Sequence, residues 1–247
     1  MEEFENIYDK IKELIGDYPN RLSVLEEQID IDLQMKYFDV SRKVKEDIDV
    51  NFILHSSDLL FNRSYAIEDK RNLLSKLASI EKVEAYRTIE KFMENPPDEL
   101  KSWGILALQE SKMLLESKIL NENKVFISTG LGGKGDKLRY FVVLIGKGIN
   151  EFSELQKKII RTEFEMTLKN YNSKIEEINF SKSYATLLTI VPMNITIKQI
   201  FKEAIDESNQ YGGFLNPNFI ITNVKKLSFK EIGEFVEKQH MLSKTNK

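Results

Sequence analysis

The feature that most constrains this fold is a change in hydrophobic periodicity near residue 122. Before that point, apolar residues recur at the three- and four-residue spacing of a helix face, as in residues 69–79, 82–94 and 98–120. After it, residues 125–129 and 139–145 are rich in β-branched and aromatic residues, which is typical of strands. We therefore expect a helical domain over residues 1–121 and an α+β domain over residues 122–247.

The predicted helical domain is punctuated by the run Asn-Pro-Pro-Asp at residues 95–98. A pair of prolines cannot continue a helix, and Asp98 is a suitable N-cap for the next one. That next helix carries small residues at Gly104, Ala107 and Ser111, which would let another helix approach closely. A further amphipathic helix is predicted over residues 3–15, so the whole domain is expected to be helical.

A helix, a proline-containing turn and a second helix with small residues along it resemble the helical hairpin of HEAT-type repeat proteins over residues 69–118. The resemblance rests on Pro97 and Asp98, on Lys101 and on the run at residues 104–108. It implies a stacked helical scaffold with a binding face, and therefore an interaction role. An ordinary helical bundle fits the same pattern, so both architectures stay open. Residues 122–247 resemble no family.

The predicted order of elements in the second half is two strands, a helix, one or two strands, a helix, a strand and a last helix. Its helices are predicted over residues 153–170, 196–209 and 228–239, with a last strand over 219–224. Residues 174–191 fit either two strands or one long bent strand. This order predicts an α+β sandwich with a mostly antiparallel or mixed sheet and helices on one face.

A glycine-rich connection at residues 130–135 matches the pattern G-x-G-x-x-G. A strand follows it instead of a helix, which argues against a dinucleotide-binding fold, and neither a kinase nor a Walker A signature accompanies it. Its backbone N–H groups and neighbouring cations could still hold an anion. The alternative is a solvated hairpin tip and an ordinary charged helix face. The predicted anion-binding residues are Gly130, Gly132, Gly133, Lys134, Gly135, Lys137, Arg139, Lys157, Lys158 and Arg161.

Other kinds of chemistry are poorly represented in the sequence. The chain has no cysteine, which excludes disulfides, thiolate catalysis and cysteine-based metal sites. Its two histidines, His55 and His240, cannot form a multi-histidine metal site, and no catalytic constellation accompanies either of them. We expect no metal and no cofactor.

Charge is divided unevenly between the two halves. Residues 1–121 hold 17 Lys and Arg against 25 Asp and Glu, a formal −8, and residues 122–247 hold 19 against 14, a formal +5; together these give the −3 of the whole chain. Such asymmetry suggests a protein partner or self-association between unlike halves. The sequence pI of about 5.7 argues against a nucleic-acid partner.

These observations predict a non-enzymatic protein–protein interaction or regulatory protein. The alternative is a binding domain for a phosphate-bearing ligand, such as a nucleotide, a metabolite or RNA, through the basic hairpin loop at residues 130–139. A third hypothesis is an enzyme with an unfamiliar carboxylate or lysine site. The lack of cysteine, of a signal sequence and of a long apolar run favours a cytoplasmic protein with no membrane partner.

Overall fold

The computed structural model describes residues 22–46, 48–122, 124–148 and 151–236. The predicted helix at residues 3–15 and His240 lie outside these ranges. The chain divides into two compact units, Met1–Thr129 and Gly130–Lys247. The predicted class is confirmed, because the first unit is mainly helical and the second combines helices with an antiparallel sheet.

The helices of the first unit lie close to where the periodicity predicts them. Trp103 is buried in their core, where its indole N–H donates to the Arg71 carbonyl at 3.0 Å. A Cβ at Gly104 would collide with the sulfur of Met93, so the small residue does permit a close helix approach. The elements are β1 (Leu22–Val24), α1 (Ile31–Val44), α2 (Val50–His55), a 3₁₀ helix (Ser57–Phe61), α3 (Ile67–Ala78), α4 (Val83–Met93), α5 (Asp98–Leu120) and β2 (Val125–Ile127).

Two local predictions for this region are wrong. Asp98 was expected to cap α5, but Pro97 occupies the N-cap position and Asp98 is the first helical residue. Strand β2 was expected to form a hairpin with the strand at 139–145, but it pairs in parallel with β1, with Leu22 opposite Val125. Because that pairing ties β2 to the first unit, the division between units falls after Thr129.

The second unit is built on a βαββαβ core, the split-βαβ arrangement of ferredoxin-like folds. Its sheet is antiparallel throughout, in the order β5-β6-β4-β7, and β3 pairs with the first residues of β4. Residues 174–191 form two strands joined by a tight turn, which settles the alternative left open by the sequence. The elements are β3 (Gly133–Lys134), β4 (Lys137–Gly146), α6 (Glu154–Asn170), β5 (Lys174–Ser181), β6 (Tyr184–Pro192), α7 (Ile197–Asn209), β7 (Leu215–Thr222) and α8 (residues 229–236).

Both faces of this sheet are covered, which differs from the prediction of helices on one face. Helices α6 and α7 lie on one face, where the Phe201 ring packs 5.7 Å from that of Phe219. Helix α8 lies on the other, where Ile232 is fully buried with Phe141 and Val143. The central strand β4 is therefore buried on both sides, which explains its continuous apolar run.

Two helices of this unit begin with a side-chain cap. Ser153 accepts from the Gln156 N–H at 3.3 Å while the Gln156 side chain accepts from the Ser153 N–H at 2.9 Å, a complete capping box. Ser228 and Glu231 form the corresponding pair before α8. Among the helices that the structure describes, none is long and apolar enough to cross a membrane.

Candidate functional site

The sheet of the second unit has two ends that carry basic residues. The hairpin end, at the start of β4, consists of residues 130–139. The other, which we call the Phe152 end, lies where β4 finishes and where α6 and β7 begin. Its members are Lys147, Phe152, Lys157, Lys158, Arg161, Phe180, Lys182, Tyr211, Gly212, Gly213 and Phe214.

The structure does not bring the ten predicted anion-binding residues together. Seven of them, from Gly130 to Arg139, lie at the hairpin end. Lys157, Lys158 and Arg161 lie in the first half of α6, which starts after β4 has ended and runs back along it. The two groups therefore lie towards opposite ends of the β4 strand.

Two of the three cations of the hairpin end are bound within the protein. Lys137 Nζ donates to the Asn172 carbonyl at 2.5 Å and to Asn172 Oδ1 at 3.0 Å. Arg139 Nε donates to Glu176 at 2.6 Å, and its Nη1 donates to the Gly133 carbonyl at 3.1 Å. Lys134 is exposed at the hairpin, next to Gly135 with φ of +62°.

The Phe152 end is organised around three phenylalanine rings. The Phe152 ring is 6.2 Å from the Phe180 ring and 6.2 Å from the Phe214 ring, in edge-to-face geometry. A Cβ at Gly146 would lie 3.2 Å from the Phe152 ring and 3.2 Å from the Ser183 carbonyl, so this glycine lets the ring close over the strand end. Backbone hydrogen bonds hold the same segments together. The Gly146 N–H donates to the Ser183 carbonyl at 2.7 Å, and the Lys147 N–H donates to the Phe214 carbonyl at 2.9 Å.

One cation of this end contacts a ring, and several others are exposed. The Arg161 guanidinium lies 5.2 Å from the centroid of the Phe180 ring, in the range of a cation–π contact. Lys147 is exposed, and its Nζ lies 3.8 Å from the position that a Cβ at Gly213 would take. Lys158 and Lys182 are exposed, and within the described residues neither forms an ion pair.

Acidic residues near this end are fewer than basic ones. Between residues 147 and 161, four basic residues face two acidic ones, Glu151 and Glu154. Lys157 donates to Glu154 at 2.7 Å, and this hydrogen bond holds the pKa of the Glu154 carboxyl below its ordinary value. Within this stretch Lys147, Lys158 and Arg161 then outnumber Glu151, while Asp206 and Glu207 are exposed near the end of α7, a few residues before Tyr211.

One aromatic side chain at the Phe152 end projects into solvent. Tyr211 follows α7 and is 62% exposed, directly before the Gly212–Gly213 turn. The end thus combines an exposed ring, a guanidinium plane held on a phenyl ring, and lysines without anionic partners. Such a surface can stack planar groups and attract phosphates.

Sequence reasoning missed most of this surface. Its members are spread from residue 147 to residue 214 and meet only because β4, β5, β6 and β7 share one sheet end. The available signal was the pair of glycine-flanked sites, Gly146-Lys147-Gly148 and Gly212-Gly213, which mark tight chain reversals.

A separate cluster of polar side chains is buried in the first unit. The Glu110 carboxylate accepts from the Tyr37 hydroxyl at 2.5 Å and from the Ser41 hydroxyl at 2.8 Å, and pairs with Lys45 at 2.6 Å. Burial is the first cause that raises the pKa of Tyr37 well above its ordinary value, and the neighbouring Glu110 charge adds to it. Since its partners all come from α1 and its C-cap, this carboxylate joins α1 to α5.

Metal ligands do not gather in the part of the chain that the structure describes. No group of three His, Cys, Asp or Glu side chains there could hold a metal ion. His55 Nδ1 lies 2.7 Å from the Asn51 carbonyl of its own helix.

Comparisons with known proteins identify no family for this chain. The chain matches no family model and no curated protein. Among solved structures it is similar to a putative transposase from Deinococcus radiodurans R1, with 17% identity and a TM-score of 0.36, over 42% of this chain and 91% of that one. A likeness at this score supports no argument about the function of this chain.

The function predicted from the sequence is nevertheless corrected. The solved structure that was found is described as a putative transposase and not as an interaction or regulatory protein. Within this chain the predicted phosphate site does not assemble, because Lys137 and Arg139 are bound to Asn172 and Glu176. Neither form of the prediction is taken further.

Proposed function

We propose that the second unit binds single-stranded nucleic acid through the Phe152 end of its sheet. The observation that carries the proposal is the association of exposed Tyr211 and the Phe180-backed Arg161 guanidinium with lysines that have no anionic partner. Proteins that bind single strands combine these two elements, a cationic track for the backbone and flat groups for the bases.

Stacking is supported by how the flat groups are held. Tyr211 follows the last turn of α7, and the planar Arg161 guanidinium lies over the Phe180 ring, 5.2 Å from its centroid. Both tyrosine rings and arginine planes stack on unpaired bases, and each stacked base contributes about 1–3 kcal/mol. Bases in a duplex are already stacked on one another, so this surface favours a single strand.

Charge supports the same ligand. The second unit carries 18 Lys and Arg against 13 Asp and Glu, a formal +5, although the whole chain is acidic. Release of counterions from phosphates depends on the local cations and not on the overall pI. Binding of single strands also needs aromatic groups beside the basic residues, and at the Phe152 end such groups are present.

Contacts of this kind do not choose between deoxyribose and ribose, so the ligand class is single-stranded nucleic acid of either sugar. A cytoplasmic location belongs to the proposal, because a chain without cysteine has no disulfide that needs an oxidising compartment.

The test is fluorescence anisotropy of labelled single-stranded DNA, single-stranded RNA and duplex DNA of matched length, with the full chain. We expect both single strands to bind more tightly than the duplex. With three phosphate-binding cations, Lys147, Lys158 and Arg161, log Kd should change with log salt with a slope of about 2 in magnitude.

Variants locate the surface. Tyr211→Ala should weaken binding by about tenfold, since one stacked base is lost. Lys134→Ala, which removes an exposed lysine at the opposite end of the sheet, is the matched control and should leave Kd unchanged. Failure of the wild type to bind either single strand, or equal losses in the two variants, would reject the proposal.

A further inference from the structure

Lys182 occupies a backbone conformation that its residue type disfavours. It lies at the tip of the tight turn between β5 and β6, where Ser181 pairs with Tyr184, and its φ is +51°. A side chain with a Cβ is strained in the left-handed region, where glycine is preferred and asparagine is tolerated.

The other left-handed positions of the described residues follow that preference. Two of these positions with a positive φ are asparagines, Asn121 and Asn172, and the others are glycines in loops and turns. Lys182 is thus the one left-handed residue in the described chain that is neither glycine nor asparagine. A glycine or asparagine would satisfy the turn better, so the turn itself does not explain a lysine.

Contacts within the protein do not explain it either. The Lys182 side chain is exposed, and within the described part of the chain it makes no hydrogen bond or ion pair. Its neighbours are those of the Phe152 end, because the adjacent Ser183 carbonyl accepts from Gly146 N–H beside the Phe152 ring.

From this we infer that Lys182 is a ligand-contacting residue that binds a backbone phosphate, retained at a cost to the stability of the β5–β6 turn. The inference rests on the proposed function and deepens it by naming a phosphate contact at the β5–β6 edge of the Phe152 end. Strained backbone held at a binding surface is a known companion of function. The turn fixes where the ammonium group begins, so the phosphate position is set by the sheet.

The experiment compares Lys182→Gly and Lys182→Asn with the wild-type full chain, in thermal unfolding and in single-stranded DNA binding. Both variants should raise Tm by about 2–4 °C, because relief of left-handed strain is a gain of this size. Both should weaken binding about fivefold near 0.1 M salt and reduce the magnitude of the salt slope by about 0.7, the value of one phosphate contact on a single strand.

Lys134→Asn is the control, since it removes an exposed lysine that is not left-handed. It should change neither Tm nor Kd. If the wild type binds but the Lys182 variants bind identically, the inference is wrong while the proposed function stands. If the wild type does not bind, the proposed function fails first. If Tm does not rise in the Lys182 variants, lysine is not a costly residue at this turn and the inference is overturned on stability alone.

Discussion

The two ends of the second unit's sheet contain similar residues and use them differently. Each has glycines at a chain reversal and several cations nearby. At the hairpin end, Lys137 and Arg139 are bound to Asn172 and Glu176. At the Phe152 end, Lys147, Lys158 and Lys182 face solvent at the same sheet end as three aromatic rings. The fold therefore decides which cations remain available for a ligand.

The glycine motif at the hairpin end has a structural explanation. A Cβ at Gly130 would collide with the Val224 carbonyl oxygen, so this position requires a close backbone approach. Gly132 and Gly135 have φ of +67° and +62°, as the tight turn into β4 demands. The spacing G-x-G-x-x-G therefore arises here from packing and turn geometry.

Removal of the Phe152 ring, which contacts the Phe180 and Phe214 rings, should have the largest effect on one of the two ends. Phe152 is 6% exposed and touches two other rings, so Phe152→Ala should lower the free energy of unfolding by about 3–5 kcal/mol. It should also weaken single-strand binding, because Arg161 and the Gly212–Gly213 turn lose their support. Urea unfolding and anisotropy on the full chain measure both effects.

Leu138→Ala is the matched control for that change, because Leu138 is 8% exposed at the hairpin end. It should cost about 2–5 kcal/mol in the same urea experiment. Binding measured where both variants remain folded should be weakened only by Phe152→Ala. Equal loss of binding in the two variants would show that the ends do not differ in function.

Much of the fold could be predicted from the sequence. The helices α3 to α7 have strong periodicity or clear caps. The periodicity changes near residue 122, whereas the two units divide after Thr129. Pairing partners were harder, because a short run such as β2 carries no information on whether it joins β1 or β4. That choice depends on long-range packing, which local propensity does not encode.

The candidate site was much less predictable. Reasoning from sequence favours contiguous motifs, and it selected residues 130–139. It could not know that Glu176, 37 positions after Arg139, would neutralise that arginine. Nor could it know that Phe152, Phe180 and Phe214 would meet, since their contact depends on the strand order β5-β6-β4-β7.

A second prediction concerns the middle of the sheet, away from both ends, and it should affect stability without affecting binding. Burial raises the pKa of Tyr140, in the central strand, to about 12. The folded state therefore holds this proton more tightly than the unfolded state. The resulting stability is fully present below about pH 10 and is lost as the pH rises towards about 12, a total of about 3 kcal/mol.

Tyr140→Phe removes this dependence. Urea unfolding at about pH 9 and at about pH 11 should show a loss in the wild type that exceeds the loss in the variant by about 1 kcal/mol. Other tyrosines contribute equally to both proteins and cancel. Binding at neutral pH should be the same in the two. A parallel pH dependence in wild type and variant would mean that Tyr140 does not titrate abnormally.

A last variant, with the smallest change in affinity, tests whether cation availability makes the two ends differ. Glu176→Gln removes the anion that holds Arg139 at 2.6 Å, while Arg139 keeps its contact with the Gly133 carbonyl. If the ion pair between Arg139 and Glu176 prevents the hairpin end from binding a phosphate, the variant should bind single-stranded DNA a few-fold more tightly. The salt slope should also steepen by about 0.7, the value of one added phosphate contact.

Removal of any carboxylate raises the net charge, so the control must do the same without releasing a cation. Glu165→Gln does so, because Glu165 is exposed on α6 and has no ion pair among the described residues. General attraction would make both variants bind slightly better and by the same factor. A gain confined to Glu176→Gln would mean that an ion pair within the protein competes with the ligand for Arg139. Equal gains would assign the difference between the ends to shape and aromatic groups, with no part for cation availability.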